Sequence, residues 1–231
     1  MSAEFVDPYI DSATGVLKNL VGATTFDDLA RAEGELASVR MSELIERGTL
    51  CPTGTLGDFC EIHRVLFQDI YSWAGCIRTV EIRKNAEGAE FFLPSINIGT
   101  GMEWSRSELV RDGMLKGLGF PEFVTRLAYH YDNYNFIHPF REGNGRTQRV
   151  FWTLLCHEAG YDLNWCLVSG EENDEASRLA AEDGNCSGLI EMFGRIASPC
   201  NPAVPINADL LISGHLSEPD GAYGDGARIC R

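Results

Sequence analysis

The 231-residue sequence lacks a long apolar run, a paired-cysteine motif and a surplus of positive charge. No apolar stretch approaches the ~20 residues that a membrane-spanning helix needs, and the first residues lack the basic end and apolar core of a signal peptide. We therefore expect a cytoplasmic protein with no membrane partner. Lys and Arg number 19 against 34 Asp and Glu, which gives a formal net charge of −15. That charge repels nucleic acid over most of the surface, so we expect no direct nucleic-acid binding.

The cysteines, eight in number, contain no Cys-x-x-Cys pair. Their scatter along the chain argues against a zinc site. In a cytoplasmic setting we expect them to be reduced and to pack as small core residues. The composition, 44% hydrophobic and 23% charged, is that of a globular protein with one domain of ordinary size.

Apolar residues recur at helical spacing through most of the sequence. A first helix is predicted to follow an N-cap at Thr25 and to end at Gly48, and its apolar face is formed by Leu29, Ala32, Leu36 and Val39. Four more helices are predicted from Phe59 to Trp73 with an end at Gly75, from Pro121 to Tyr134, from Val150 to Leu155 with an end at Gly160, and from Ser187 to Ile196.

One segment breaks this helical period. Residues 78–83 alternate between polar and apolar, residues 85–88 supply turn chemistry, and Phe91 to Leu93 form an extended run. This pattern predicts a β-hairpin, which must lie against the helical body or a ligand because a lone hairpin is marginally stable. The predicted fold class is therefore all-α with a β-hairpin.

The composition changes after Ser198, where prolines, glycines and aspartates become frequent. These residues make a helix unfavourable through to Arg231, and only Leu210 to Ile212 could anchor the segment. We predict one domain over residues 1–198 and a Pro/Gly-rich C-terminal tail over residues 199–231.

The densest group of chemical side chains is His138-Pro139-Phe140-Arg141-Glu142-Gly143-Asn144-Gly145-Arg146-Thr147-Gln148-Arg149. Pro139 cannot continue a helix from upstream, and Gly143 and Gly145 permit backbone angles that other residues avoid. We therefore predict a loop that runs into the N-terminus of a helix over residues 147–159. Unpaired N–H groups and the positive end of the helix dipole make such a junction an anion site.

The charged side chains of this segment suit a nucleotide triphosphate. Arg146 and Arg149 lie three residues apart, near one helix face, where guanidinium groups can bind phosphates. Glu142 would repel phosphates unless a cation bridges them, and Mg²⁺ prefers one carboxylate plus phosphate oxygens. His138 can take a proton from an attacking hydroxyl. The segment therefore has the parts of a phosphoryl or nucleotidyl transfer site.

This segment resembles the full signature of the Fic family, His-x-Phe-x-(Asp/Glu)-Gly-Asn-Gly-Arg-x-x-Arg. The resemblance extends from about residue 7 to residue 197 and includes Leu17-Lys18-Asn19-Leu20, residues 62–75 and Glu158-Ala159-Gly160-Tyr161. It implies an all-α Fic fold with a β-hairpin flap. It also implies transfer of AMP from ATP to a Ser, Thr or Tyr hydroxyl of a target protein, with release of pyrophosphate.

The resemblance also implies roles for individual residues. His138 resembles the general base, Glu142 the Mg²⁺ ligand, and Phe140 a core residue that fixes the loop. The remaining ATP-site residues are Gly143, Asn144 and Gly145 as the α/β-phosphate nest, Arg146 and Arg149 at the β/γ end, Lys18 and Asn19 where relatives touch the adenine, and Glu90, Phe91 and Phe92 as the flap that aligns the target.

Many members of the family carry an inhibitory helix with the pattern (Ser/Thr)-x-x-x-Glu-(Gly/Asn). Ser42 and Glu46 have the spacing, but Arg47 follows them; Glu33 precedes a glycine, but Leu29 stands where the hydroxyl is required. The chain therefore resembles members regulated by a separate small antitoxin, as in a toxin–antitoxin pair. The hypothesis is that the inhibitory helix of that partner inserts a glutamate near Arg149. Such relatives modify topoisomerase subunits, which suggests a class of target.

Three alternatives stay open. A Fic-type kinase is disfavoured because that branch has Ala and Lys where Gly143 and Arg146 stand here. Nothing in the sequence favours a phosphocholine transferase. A catalytically silent scaffold that binds nucleotide or a partner is disfavoured by the intact His138, Glu142 and Arg149.

Overall fold

The computed structural model describes residues 6–83 and 91–212. Within these ranges the chain forms eight α-helices and two short strands. The helices are α1 (Phe26–Arg47), α2 (Leu56–Phe67), α3 (Ile98–Arg111), α4 (Phe120–Ile137), α5 (Asn144–Glu158), α6 (Gly170–Asp183), α7 (Ser187–Ile196) and α8 (Asp209–Ile212). The strands β1 (Tyr161–Leu163) and β2 (Ala197–Pro199) pair antiparallel, with Tyr161 opposite Pro199. The expectation of a mostly helical fold is confirmed.

Helix α1 has the predicted ends, and its predicted apolar face is correct only in part, since Leu29 is fully buried and Leu36 packs against the core. The Thr25 side chain accepts a hydrogen bond from the N–H of Asp28, and Gly48 takes the left-handed conformation that ends the helix. Val39, however, is 57% exposed. The buried face is Leu29, Glu33, Ala37, Met41, Leu44 and Ile45. A buried glutamate lies at its centre, and a hydrophobic periodicity does not predict that residue.

Helix α2 is shorter than predicted. It begins with a capping box between Thr55 and Asp58 and ends at Phe67. The chain then turns, because the N–H groups of Ile70 and Tyr71 both donate to the Phe67 carbonyl. Ile70 and Tyr71 are therefore buried in turns and not in a helix. Over a few residues such turns give the same spacing of apolar residues as a helix, which is why the predicted helix is too long.

The core lies where α2, α4 and α5 meet. Aromatic rings from the three helices contact one another there: Phe59 lies 5.4 Å from Tyr134 and 4.5 Å from Phe151, measured between ring centroids. Tyr134 also meets Trp152 edge to face. These large rings are fully buried and supply much of the apolar area removed from water. They also fix α4 against α5, and the loop between these two helices holds the signature residues.

The predicted β-hairpin is present in outline rather than as regular strands. Arg83 and Phe91 form one antiparallel bridge, and the N–H of Phe92 donates to the Ile82 carbonyl at 3.1 Å. Residues 78–82 do not form a strand. The Arg78 side chain is buried and donates to the Val80 carbonyl, so it does not take the exposed position that an alternating strand would give it. The predicted turn residues 85–88 and Glu90 lie outside the described residues.

Ordered structure continues beyond the predicted domain end at residue 198. Strand β2 runs through Pro199, and α8 is a single helical turn where a helix was not expected. Leu211 is 2% exposed and packs into the hydrophobic core. Helices α3 and α6 were also not predicted. Within the described residues no helix is both long and apolar enough to cross a bilayer, and the seven described cysteines form no disulfide.

Candidate active site

The loop between α4 and α5 is shaped by two left-handed residues. His138 ends α4 with φ 44° and ψ 67°, and Gly143 precedes α5 with φ 80°. Only glycine fits at position 143, because an added Cβ would lie 2.4 Å from the ring of Phe67. The predicted loop-to-helix junction is confirmed, although α5 begins at Asn144 rather than at Thr147.

The His138 imidazole is held in one tautomer. Its Nδ1 lies 2.7 Å from the Asn135 carbonyl oxygen. A carbonyl oxygen can only accept, so Nδ1 carries a proton, and in the neutral ring the lone pair is then on Nε2. The side-chain amide of Asn135 in turn accepts a hydrogen bond from Gln148 of α5 at 2.9 Å. The Asn135 carbonyl on α4 therefore orients the ring directly, and Gln148 on α5 holds the Asn135 side chain.

The flap segment lies directly on this histidine. The Phe92 ring stacks on the His138 ring with centroids 3.6 Å apart and planes 8° from parallel. The neighbouring Phe91 is 48% exposed. Successive residues of an extended segment point to opposite faces, so Phe92 contacts His138 while Phe91 faces away. The structure thus brings Phe92 and His138 together, whereas Glu90 lies outside the described residues.

The middle of the loop is held by buried side chains. Phe140 is fully buried and stacks on His63, with centroids 3.9 Å apart, so its predicted role in the core is confirmed. His63 Nδ1 accepts from the N–H of Gly75 at 2.7 Å, and its Nε2 donates to the Glu142 carbonyl at 3.0 Å. Asn144 closes the loop, because its side chain accepts from the Phe140 N–H and donates to the Phe140 carbonyl.

The first turn of α5 follows directly on this loop. The first hydrogen bond along the helix axis is the one from the Thr147 N–H to the Gly143 carbonyl at 3.1 Å. The N–H groups that precede Thr147 lie in the first helical turn, where a helix provides donors and positive dipole to an anion. The Glu142 carboxylate lies beside this first turn, because its Oε1 accepts a hydrogen bond from the Gly143 N–H at 2.9 Å.

Arg146 is buried between two carboxylates. Its Nη2 lies 2.6 Å from Glu33 Oε2 on α1 and 3.3 Å from Glu142 Oε1. Its guanidinium carbon also stands 4.8 Å from the centre of the Phe67 ring, and the residue is 4% exposed. Glu33 receives a further hydrogen bond from the hydroxyl of Tyr71. Glu33 is not among the predicted site residues.

Arg149 differs from Arg146 in its surroundings. It is half-buried, and its guanidinium carbon stands 5.7 Å from the centre of the Trp165 ring. Within the described chain no carboxylate lies at ion-pairing distance from it. The two arginines therefore share one helix turn, but among the described residues only Arg146 is paired with carboxylates.

Lys18 and Asn19 are held by the N-terminal segment. The Lys18 ammonium donates to the Pro8 carbonyl at 2.8 Å. The Asn19 side chain donates to the carbonyls of Leu17 and Ala23, and its oxygen accepts from the Ala23 N–H. These bonds fix a local turn, and the predicted contact with adenine stays a prediction for both residues.

Arg78 is a further residue of the site, although the sequence predicts it as part of an alternating strand. Its Nε donates to the His138 carbonyl and its backbone N–H donates to the Pro139 carbonyl, both at 2.8 Å. Its other nitrogens bond the carbonyls of Val80 and Leu93 in the two arms of the flap. Burial lowers the pKa of the guanidinium, and the nearby Glu81 carboxylate opposes that shift. One cation therefore joins the flap to the start of the loop.

Comparison with known proteins identifies the family. Residues 54–156 match the family model described as the Fic/DOC family. A Salmonella typhimurium protein named "Probable protein adenylyltransferase Fic" is 35% identical over 192 residues, which cover 83% of this chain and 92% of that protein. The chain belongs to the Fic/DOC family. The resemblance inferred from the signature is thus confirmed.

A second named protein and a solved structure are also similar to this Fic/DOC chain. "Protein adenylyltransferase VbhT" of Bartonella schoenbuchensis is 38% identical over 177 residues, which are 74% of this chain and 35% of that protein. The chain thus spans about a third of that relative's length. The N-terminal Fic domain of a putative cell filamentation protein from Bartonella quintana, solved with bound ADP, is 25% identical. Its TM-score is 0.75, and the match covers 83% of this chain and 95% of that one.

Proposed function

We propose that this chain transfers AMP from ATP to the hydroxyl of a Ser, Thr or Tyr residue on a target protein and releases pyrophosphate. The observation that carries the proposal is the His138 imidazole, whose Nδ1–H donates to the Asn135 carbonyl, so that Nε2 is the basic nitrogen of the neutral ring. It stands at the start of the loop that runs into the helix N-terminus. The enzyme class follows from homology, since relatives 35% and 38% identical are named protein adenylyltransferases.

The chemical step requires a proton acceptor and a phosphate-binding site. In the proposed step the target oxygen forms a bond to the α-phosphorus of ATP, and the bond to the β-phosphate oxygen breaks so that pyrophosphate leaves. The hydroxyl proton passes to His138 Nε2. In the proposed site the phosphates bind at the first turn of α5, at Gly143, Asn144 and Gly145, where the helix dipole favours an anion. The Gly143 N–H itself donates to Glu142. The bound ADP in the Bartonella quintana structure supports nucleotide binding by this fold.

Glu142 fits the proposed Mg²⁺ site. Its carboxylate lies beside the helix N-terminus, 2.9 Å from the Gly143 nitrogen, where it would repel a phosphate. A divalent cation between carboxylate and phosphate removes that repulsion, and one carboxylate plus phosphate oxygens is a donor set that Mg²⁺ accepts. When bound, the ion would neutralise charge on the phosphates. Glu142 would hold it, with Arg146 keeping the carboxylate in place at 3.3 Å.

The two signature arginines have different proposed roles. Arg149 lacks a carboxylate partner within the described chain, so its charge is available for the γ-phosphate end. Arg146 was expected at the β/γ end too, and its contact with phosphate remains a prediction. Its two carboxylate contacts and 4% exposure favour a role in fixing the loop.

We further propose regulation by a separate antitoxin whose helix presents a glutamate to Arg149. Within the chain the nearest candidate, Glu33, pairs with Arg146 instead. Glu46, the other glutamate with suitable spacing, is exposed near the end of α1. Co-purification of a small partner from the native host supports this regulation, whereas full activity of the lone chain among its native neighbours contradicts it. A topoisomerase subunit is the proposed class of target.

Labelled ATP and a cell lysate test the activity. A protein band labelled from the α-phosphate supports AMP transfer, and a band labelled from the γ-phosphate alone supports a Fic-type kinase. Absence of both labels supports a silent scaffold or a phosphocholine transferase. His138→Ala should abolish the α-label while ATP binding is retained, because proton removal is separable from phosphate capture. Normal turnover of that variant would show that His138 is not the base.

A further inference from the structure

A second cluster of metal-ligating side chains lies at the opposite end of α5 from the signature loop. His157 is in the last turn of α5, Asp162 is in β1, and Cys200 follows β2 directly. The pairing of β1 with β2 brings them together, because the Cys200 N–H donates to the Gly160 carbonyl at 2.9 Å. We propose that His157, Asp162 and Cys200 form a metal site for a thiolate-binding divalent ion such as Zn²⁺.

The distances between the three donor atoms fit one ion. His157 Nδ1 lies 3.5 Å from Cys200 Sγ and 2.7 Å from Asp162 Oδ1, and all three atoms lie within 4.8 Å of one another. Tetrahedral Zn²⁺, with bonds of about 2.0–2.3 Å, separates nitrogen from sulfur by roughly 3.5 Å and nitrogen from oxygen by roughly 3.3 Å. The distance between His157 Nδ1 and Cys200 Sγ is therefore already the one that a shared ion requires. The carboxylate must move outward by about 0.6 Å, and its side chain is 26% exposed, which leaves room for that movement.

The chemistry of the set selects the kind of ion. Thiolate and imidazole favour zinc and similar transition metals over Mg²⁺ or Ca²⁺, which prefer oxygen donors. Three protein ligands leave a fourth position for water. Binding releases the thiol proton of Cys200 to solvent, so affinity rises with pH. The sequence argued against zinc because its cysteines are scattered, but the fold supplies one cysteine together with ligands of two other types.

A nucleophilic triad does not fit the same residues. In a Cys–His–Asp relay the thiol faces one ring nitrogen and the carboxylate faces the other. Here both the Cys200 sulfur and the Asp162 oxygen face His157 Nδ1. An ion placed between His157 Nδ1, Cys200 Sγ and Asp162 Oδ1 would be bound by all three atoms, because they face one another. Bound there, it would tie the end of α5 to β1 and to the segment after β2, which stabilises the helix that begins at the signature loop.

Titration with Co²⁺ after treatment with a chelator tests the site independently of AMP transfer. The full chain should bind one equivalent, with a sulfur-to-cobalt charge-transfer band in the near ultraviolet, and Zn²⁺ should displace the cobalt and raise Tm. Cys200→Ser should lose the band and bind Zn²⁺ at least about 10-fold more weakly, since loss of an outer-shell partner alone costs ~10–100-fold. Cys51→Ser, at an exposed cysteine, should behave as the parent chain does.

Circular dichroism separates loss of the site from loss of the fold. If Cys200→Ser is unfolded, Asp162→Asn takes its place, because it keeps the side-chain shape and removes the charged ligand atom. Weaker Zn²⁺ binding by a folded variant supports the site. The proposal is overturned if the parent chain shows no charge-transfer band, or if folded Cys200→Ser and Asp162→Asn bind the metal as tightly as Cys51→Ser.

Discussion

The ion pair between Glu33 and Arg146 provides a quantitative test of what holds the signature loop. Glu33→Gln keeps the size of the side chain and its ability to accept from Tyr71 but removes the negative charge. Glu33 is 1% exposed and Arg146 is 4% exposed, so water cannot replace the lost carboxylate. Removing one partner of a buried pair costs about 3–5 kcal/mol. Glu142, at 3.3 Å from Arg146, compensates in part, so we expect a loss of about 3 kcal/mol.

Denaturant unfolding followed by circular dichroism measures this loss. For a chain of this size about 3 kcal/mol corresponds to a fall in Tm of roughly 6–12 °C. Glu35→Gln is the matched control, because Glu35 is exposed on the same helix and should change stability by less than about 0.5 kcal/mol. If Glu33→Gln unfolds like the control, the pair does not hold the loop and the reasoning is refuted.

A double variant distinguishes charge burial from simple loss of packing. In Glu33→Gln the cation of Arg146 remains buried with one carboxylate fewer. Replacing Arg146 by Met removes that charge but leaves the buried Glu142 carboxylate without its cation, so parent stability is not expected to return. We expect Glu33→Gln/Arg146→Met to lose less than the sum of the two single losses, because each single change leaves the other charge of the pair buried. A double variant that loses the sum of both single losses would show that the two residues act independently.

Three other predictions concern the loop, the phosphate site and acid stability. Gly143→Ala should abolish AMP transfer and lower Tm, because its Cβ would lie 2.4 Å from the Phe67 ring and the residue has φ +80°; wild-type values for both would contradict the loop geometry. Arg149→Ala should weaken ATP use by about 1.5–3 kcal/mol, measured as kcat/KM, through loss of a charged phosphate contact; an unchanged constant would remove that assignment. Burial lowers the pKa of His130 below its usual value of 6.5, although the Asp112 carboxylate opposes that shift. As the pH falls below about 6.5 the unfolded chain therefore binds a proton before the folded chain does, and the free energy of unfolding decreases. His130→Gln should show a shallower pH dependence of stability between about pH 7 and 5.5, and an equal slope would exclude this histidine as a cause.

The parts of the fold that the sequence predicts correctly are those with local causes. Thr25 and Gly48 end α1 through bonds and backbone angles within one turn of the helix. The loop before α5 follows from Pro139 and Gly143, whose backbone restrictions act on their own residues. The short helix Ser187–Ile196 has the bounds that its apolar spacing predicts. Each of these features depends on residues close in the chain, and a single sequence records such residues directly.

The parts that the sequence does not predict depend on partners far along the chain. Glu33 stands 113 residues before Arg146, and on a helix it reads as one more solvated charge. Arg78 fits an alternating strand pattern, yet its side chain is buried among carbonyls of the loop and the flap. Neither assignment could be made without the fold, because a charged residue is exposed by default and is buried only where specific partners satisfy it.

The signature names the reactive groups, whereas their orientation comes from residues outside the reactive set. The His138 tautomer depends on a carbonyl of α4, its ring plane on Phe92 of the flap, and its backbone position on Arg78. Packed and hydrogen-bonded partners of this kind can hold a catalytic side chain to within a fraction of an ångström, which proton transfer requires. A chain with an intact signature but an altered Arg78 or Phe92 should therefore bind ATP and transfer AMP slowly. The presence of the signature alone is then insufficient evidence of turnover in any member of the family.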